Sequence, residues 1–220
     1  RRHIEQALEA PLDDLETRFY VGLLGGHVLT QVMIVGARGV GILGHVFTLP
    51  EHRRKGAYRA LMTAQMRDCV DVGFRIITLG TGFDSPPYHI YASYGFRSIA
   101  PSSGDMMWTA SEGEESRFWT HHHARVRPAR WDDWAHLSLL TVRSADSNEE
   151  QPRSFYFNVL ERGFLEGPYL VLRSAMHRDA SIKAWVLEAI ADDGRPGAIA
   201  GIAVLAPEAR SFASLRQLDM

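Results

Sequence analysis

The chain has 220 residues, 45% of them hydrophobic and 23% charged, with a net charge of -2. That balance suits one large globular domain or two small ones and excludes disorder, collagen-like sequence and a nucleic-acid coat, so any anion site has to be local. One cysteine, Cys69, excludes an internal disulfide framework, and no apolar run approaches the ~18 residues that span a bilayer.

These features predict a soluble protein of a reducing cytoplasm, and the N-terminus lacks the order of a signal peptide. The sequence opens at Arg1 and stops at Met220 inside what reads as a strand, as expected of a piece of a longer product.

Along the chain, Ile4, Ala7, Leu8 and Leu15 lie among charges and predict a helix, with a loop at Ala10-Pro11-Leu12. Two apolar runs, Phe19 to Leu24 and Val28 to Val35, flank Gly25-Gly26 and read as a hairpin, and Val40 to Leu49 follows as a third antiparallel strand. The period then changes. Tyr58, Leu61, Met62, Gln65, Met66, Cys69 and Val70 fall at helical spacing, with Gly73 as the closing cap. Arg75 to Leu79 reads as a buried strand, so strand, helix and strand imply a locally parallel or splayed sheet. Pro86-Pro87 breaks the chain, Tyr88 to Tyr94 makes one or two helical turns stopped by Gly95, and Phe96 to Ile99 pairs with Met106 to Thr109.

Ser111 to Ser116, acidic and small, reads as a linker. Beyond it the signals restart: a strand at Ala124 to Arg127, a helix from Trp131 to Val142, helical or irregular sequence to Leu172, strands at Lys183 to Ile190 and Ala198 to Leu205, and a last strand at Ser214 to Met220. The order parallels that of residues 19–49 and reads as a degenerate, incomplete repeat. The expected units are residues 1–112 and 117–220.

The informative stretch runs from Val46 to Met62, where a strand enters a loop of three consecutive cations and a glycine and passes straight into a helix. Unpaired N–H groups and the positive dipole end at a helix start can hold a pyrophosphate. Gly56 lets the backbone approach closely, and Arg53, Arg54 and Lys55 can neutralise the charge. Three cations beside a positive dipole end are unfavourable without an anion, which favours a ligand over a merely solvated helix start.

The run LPEHRRKGAYRALM resembles the acyl-CoA-binding segment of the GNAT superfamily of N-acetyltransferases, whose pattern is Arg or Gln, two residues, Gly, one residue, then Gly or Ala. Arg53, Gly56 and Ala57 fall in register, while Tyr58 stands where the second small residue is usual. Downstream, HIYASYGF at residues 89–96 is similar to the family's Tyr, three residues, Gly-Phe signature, with Tyr91 in the tyrosine position. The two motifs in this order, one strand apart, are more specific than either alone, and the resemblance covers residues 19–110.

The resemblance implies a mixed α/β (α+β), largely antiparallel sheet flanked by helices, with a second incomplete unit of the same type. It implies acetyl-CoA or another acyl-CoA as co-substrate, without a metal, and direct attack on the acyl carbonyl by an amine. The backbone of Phe47, Thr48 and Leu49 would pair with the pantetheine arm, and Arg53, Arg54, Lys55, Gly56, Ala57 and Tyr58 would hold the diphosphate. Tyr91 would be the acid that protonates the departing thiolate, with Tyr94 its substitute, and His45 the candidate base, acting through water. His45 alternates with apolar residues, which also fits a hydrogen-bonded core histidine. The expected partner is a small-molecule or peptide amine acceptor, with no nucleic acid, no membrane, and a homodimer left open. A non-catalytic acyl-CoA-binding module is the rival reading.

Other features read as structure. Gly36 to Gly41 has glycine spacing suggestive of a dinucleotide loop, but a strand follows it, so it is a hairpin turn. His121-His122-His123 cannot readily converge on one ion and reads as a surface loop, Cys69 reads as a buried thiol, and Phe155-Tyr156-Phe157, Trp131 and Trp134 read as core.

Overall fold

The computed structural model describes residues 2–121, 123–146, 167–191 and 194–206. By contacts the chain divides into two compact units, one of Leu15–Glu115 and one of Arg1–Asp14 with Ser116–Met220.

The Leu15–Glu115 unit is built on a six-stranded sheet. Helix α1 (Arg2–Glu9) precedes it in the chain and belongs to the other unit. Strands β1 (Glu16–Leu24), β2 (His27–Ala37) and β3 (Val40–Thr48) form the expected antiparallel meander, turning on glycines in the left-handed region. The Gly36 to Gly41 segment is indeed the β2–β3 hairpin. The apolar helical face expected from Tyr58 to Val70 is α2 (Ala57–Asp71), and its buried residues are Leu61, Met62, Gln65, Met66 and Cys69. Gly73, at φ 91°, ends it in a conformation that L side chains resist.

Strand β4 (Ile76–Gly80) then returns parallel to β3, and α3 (Pro86–Ala92), β5 (Arg97–Ser98) and β6 (Asp105–Thr109) complete the unit. The sheet order is β1-β2-β3-β4-β6-β5, mixed and largely antiparallel. One face packs α2 and α3 over Val32, Ile34, Leu43, Ile77, Leu79 and Met106, with Tyr91 and Phe96 in the same cluster. Cys69 is buried there as expected, and burial pushes its thiol up to about 11. Phe74 lies on the strand backbone itself: a Cβ at Gly41 would come within 2.8 Å of its ring.

One local reading is corrected. Helix α3 starts on the proline pair rather than after it, because proline at N1 sacrifices no hydrogen bond, and the Ser85 hydroxyl caps the start by accepting from Tyr88 N–H at 3.4 Å. Residues 111–116, read as a linker, contain the boundary between the two units and are mostly exposed. They run into α4 (Glu114–Trp119), and Glu114 is buried, accepting from Arg75 and from Ser111.

In the other unit, β7 (His123–Pro128), β8 (Lys183–Ile190) and β9 (Pro196–Leu205) form an antiparallel sheet in that order. A single 3-10 turn at Trp131–Asp133 leads into α5 (Trp134–Asp146), and α6 (Gly167–Arg178) precedes β8. Trp134 is core, whereas Trp131 is half-buried with the Arg173 guanidinium 5.0 Å over its ring. Buried Asp133 and Glu188 share Arg127, at 2.6 and 2.7 Å, and burial without this cation would be costly. His121 Nε2 lies 2.7 Å from the Phe118 carbonyl. The strand expected at Ser214 to Met220, the Phe155-Tyr156-Phe157 core and His122 lie outside the described residues.

Candidate functional site

The site follows from a defect in the sheet. Strands β3 and β4 pair only at Val40↔Ile76, Gly41↔Ile77 and Ile42↔Thr78, although β3 continues beside β2 as far as Thr30↔Thr48. Between those points the β2–β3 register shifts around Val32, opposite Gly44 to Phe47. His45 adopts φ 50°, a conformation for which histidine is among the more tolerant residues. Such a bulge bends and twists its strand, so β3 leaves β4 and the sheet opens into a V. On the far side Gly104 permits the close approach that fixes the end of β4: a Cβ there would fall 1.8 Å from the Thr81 carbonyl oxygen, and Thr81 N–H donates to the Gly104 carbonyl at 2.9 Å.

The V holds a cavity of about 930 Å³, lined by Val46 to Thr48 of β3, by the loop and first turn of α2, by Thr81, and by Pro86, Pro87, Ile90 and Tyr91 of α3. Its basic side consists of His52, Arg53, Arg54 and Arg59, and no carboxylate is among the described lining residues. Arg54 and Gly56 both take positive φ, 59° and 83°, and turn the chain sharply into α2. No side chain caps this helix, whose N-cap is Gly56, so the first-turn N–H groups face the loop without the usual acceptor. A Cβ at Gly56 would meet nothing within 4 Å, which leaves that face of the backbone open. Uncapped amides, the positive dipole end and flanking cations are the groups that attract an anion.

Most residues singled out in the sequence converge here. Phe47, Thr48, Arg53, Arg54, Gly56, Ala57, Tyr58 and Tyr91 line the cavity. Leu49, Lys55 and His45 do not belong to the lining. Leu49 spends its N–H on the Leu29 carbonyl at 2.9 Å, and the Thr48 carbonyl accepts from Arg53 Nε at 3.0 Å, which ties the loop to the end of β3. His45 is exposed at the bulge, so the alternation that reads as a core histidine is reversed by the extra residue.

Tyr91 is buried, at 5% exposure, against the half-buried Tyr58. The rings meet edge to face with centroids 6.3 Å apart and an interplanar angle of 86°. Burial pushes the Tyr91 phenol above the ordinary tyrosine range, and the Tyr58 hydroxyl pulls it part of the way back. Burial, with Tyr91 alongside, also raises Tyr58, so both phenols keep their protons at neutral pH. Tyr94 faces elsewhere: its hydroxyl lies 2.8 Å from both Thr63 Oγ1 and the Arg59 carbonyl, fastening α3 to α2. Sequence reasoning gave no role to the lining residues Val46, His52, Arg59, Thr81, Pro86, Pro87 and Ile90; the first three lie inside the stretch singled out from Val46 to Met62, and the Ser-Pro-Pro helix start was the signal for the two prolines.

Among the described residues no three metal-ligating side chains cluster, and no helix is long and apolar enough to cross a membrane.

Residues 3–96 match the family model described as the Acetyltransferase (GNAT) family. No curated protein matches. Among solved structures, the chain is similar to the PaiA N-acetyltransferase of Thermoplasma acidophilum in complex with coenzyme A, at 14% identity and TM-score 0.39, over 43% of this chain and 61% of that one. It is also similar to a GNAT family acetyltransferase of Elizabethkingia anophelis with acetyl-CoA bound, at 11% identity and TM-score 0.40, over 50% and 82% of the two chains. An IAA acetyltransferase of Bacillus cereus gives 16% identity and TM-score 0.40 over 50% and 84%. The family model thus matches less than half of the chain, and the chain spans less than two thirds of the first of these structures.

Proposed function

We propose, on the match of residues 3–96 to the Acetyltransferase (GNAT) family model, that the chain transfers an acetyl or other short acyl group from acyl-CoA to an amine by direct attack. The observation that carries this reading is the V between β3 and β4, which opens onto an uncapped, cation-flanked helix start. The diphosphate of CoA lies on the amides of Gly56, Ala57 and Tyr58, with Arg53 and Arg54 beside it. The pantetheine arm runs along Val46 to Thr48 and brings the thioester to Tyr91.

The acceptor nitrogen adds to the acyl carbonyl, the C–S bond breaks, and the Tyr91 hydroxyl gives its proton to the departing thiolate. A phenol whose proton affinity is raised by burial is in the right state to act as that acid. We assign removal of the acceptor ammonium's proton to His45 acting through water, since it precedes the lining residue Val46 without lining the cavity itself.

The unit around residues 117–220 we read as a degenerate second copy, on the order β7, α5, α6, β8, β9 with an antiparallel β7-β8-β9 sheet. The acceptor is a small-molecule or peptide amine, and the buried single thiol suits the cytoplasm.

A non-catalytic acyl-CoA-binding module is the second reading, favoured by the position of His45 outside the lining. Thiol release with acetyl-CoA and a panel of amines tests the two: CoA release dependent on an amine is expected, and binding without release under any amine supports the module instead.

A further inference from the structure

Tyr58 occupies the one motif position at which this sequence departs from the family pattern, and its side chain turns inward. It is the second residue of α2, half-buried, and packed against the cluster that contains Met62 and Tyr91. Its ring is held on two sides. The edge-to-face contact with Tyr91 fixes one, at 6.3 Å between centroids, and the hydroxyl donates to Met62 Sδ at 3.4 Å, one turn along the helix. Met62 itself is fully buried, so the Tyr58 ring stands between the cavity and the apolar interior behind it.

We infer that Tyr58 sets the acyl-chain limit of this enzyme: its ring closes the cavity beside Tyr91, where the acyl group ends, and restricts the donor to short acyl-CoAs. The inference rests on the acyl-CoA reading above. If the thioester carbonyl lies within proton-transfer reach of Tyr91, the acyl carbons beyond it meet whatever neighbours Tyr91 in the wall. A small residue at position 58 would uncover the Tyr91 ring and Met62, the two groups its side chain contacts, and apolar surface of that kind suits an alkyl chain rather than a polar acyl group.

The test is calorimetric titration of the whole chain, wild type and Tyr58→Phe, Tyr58→Leu and Tyr58→Ala, with CoA, acetyl-CoA, butyryl-CoA and hexanoyl-CoA. Bare CoA reports whether the carrier site exists. Wild type and Tyr58→Phe, which both keep the ring, are expected to bind CoA and acetyl-CoA comparably and hexanoyl-CoA at least ~10-fold more weakly. In Tyr58→Ala the order reverses, with a gain of about fourfold for each methylene that enters the vacated space. Tyr58→Leu, which keeps an apolar filler if the alanine variant fails to fold, falls between them. The inference is overturned if wild type binds hexanoyl-CoA as tightly as acetyl-CoA, or if the alanine and leucine variants keep the wild-type order. Failure of wild type to bind even bare CoA overturns the acyl-CoA reading and this inference together.

Discussion

Reversing the charge of the loop by Arg53→Glu with Arg54→Glu separates the two ends of the carrier. Both side chains are exposed and line the cavity, and Arg53 also holds the Thr48 carbonyl at 3.0 Å. A charge-assisted hydrogen bond contributes ~1.5–3 kcal/mol, which exposure and salt reduce to roughly 1–2 for each arginine. Two lost contacts therefore amount to about 2–4 kcal/mol, or ~30-fold to ~1000-fold in the dissociation constant of CoA. Acyl-pantetheine, which lacks the diphosphate, should keep its affinity within a factor of ~3, because it depends on the β3 edge and the apolar lining. Calorimetry with both ligands measures the split, and the melting temperature separates any loss of the Arg53–Thr48 tie. Equal weakening of CoA and acyl-pantetheine would refute the placement of the diphosphate, as would the absence of any weakening at low salt.

Tyr91→Phe should lower turnover by ~10²–10⁴-fold at nearly unchanged acetyl-CoA affinity, whereas Tyr94→Phe, whose hydroxyl fastens α3 to α2, should lower thermal stability and spare chemistry; CoA release and dissociation constants for both variants check this. Burial holds the Asp105 carboxyl above the usual carboxylate range, so the folded state keeps its proton more tightly than the unfolded chain does. Its ionisation then lowers stability as pH rises past the unfolded value of ~3.9, so Asp105→Asn should raise the melting temperature at pH 7 and lose that advantage at pH 3. Gln65 is fully buried on α2 with neither amide atom hydrogen-bonded, so Gln65→Met should stabilise by about 1–2 kcal/mol, read as a higher urea midpoint at unchanged slope.

The legible parts of the fold were those governed by local pattern. Alternation and paired glycines mark the β1–β2 and β2–β3 hairpins, and a switch to helical spacing with a closing Gly73 marks α2. The cation and glycine loop locates the helix start that opens on the cavity, since dipole and unpaired amides follow from sequence order alone. What stayed illegible depends on distant partners or on one extra residue. Glu114 is buried because Arg75, far away in the chain, accompanies it, and nothing within residues 111–116 announces that pairing. The bulge at His45 shifts the side-chain alternation, so the face on which His45 lies cannot be counted from neighbouring strand residues. Pro86-Pro87 reads as a break because proline stops helices, yet the same ring suits a first turn, and Ser85 was the cue. The inward turn of Tyr58 is likewise a tertiary fact, set by Tyr91 and Met62.

Titration of the wild-type chain with CoA in the calorimeter, repeated as a thermal shift, tests the central claim most directly. The β3–β4 cavity with its uncapped α2 start predicts saturable one-site binding that weakens with added salt, together with a melting temperature that rises with CoA concentration. No heat of binding and no shift at millimolar CoA would contradict it.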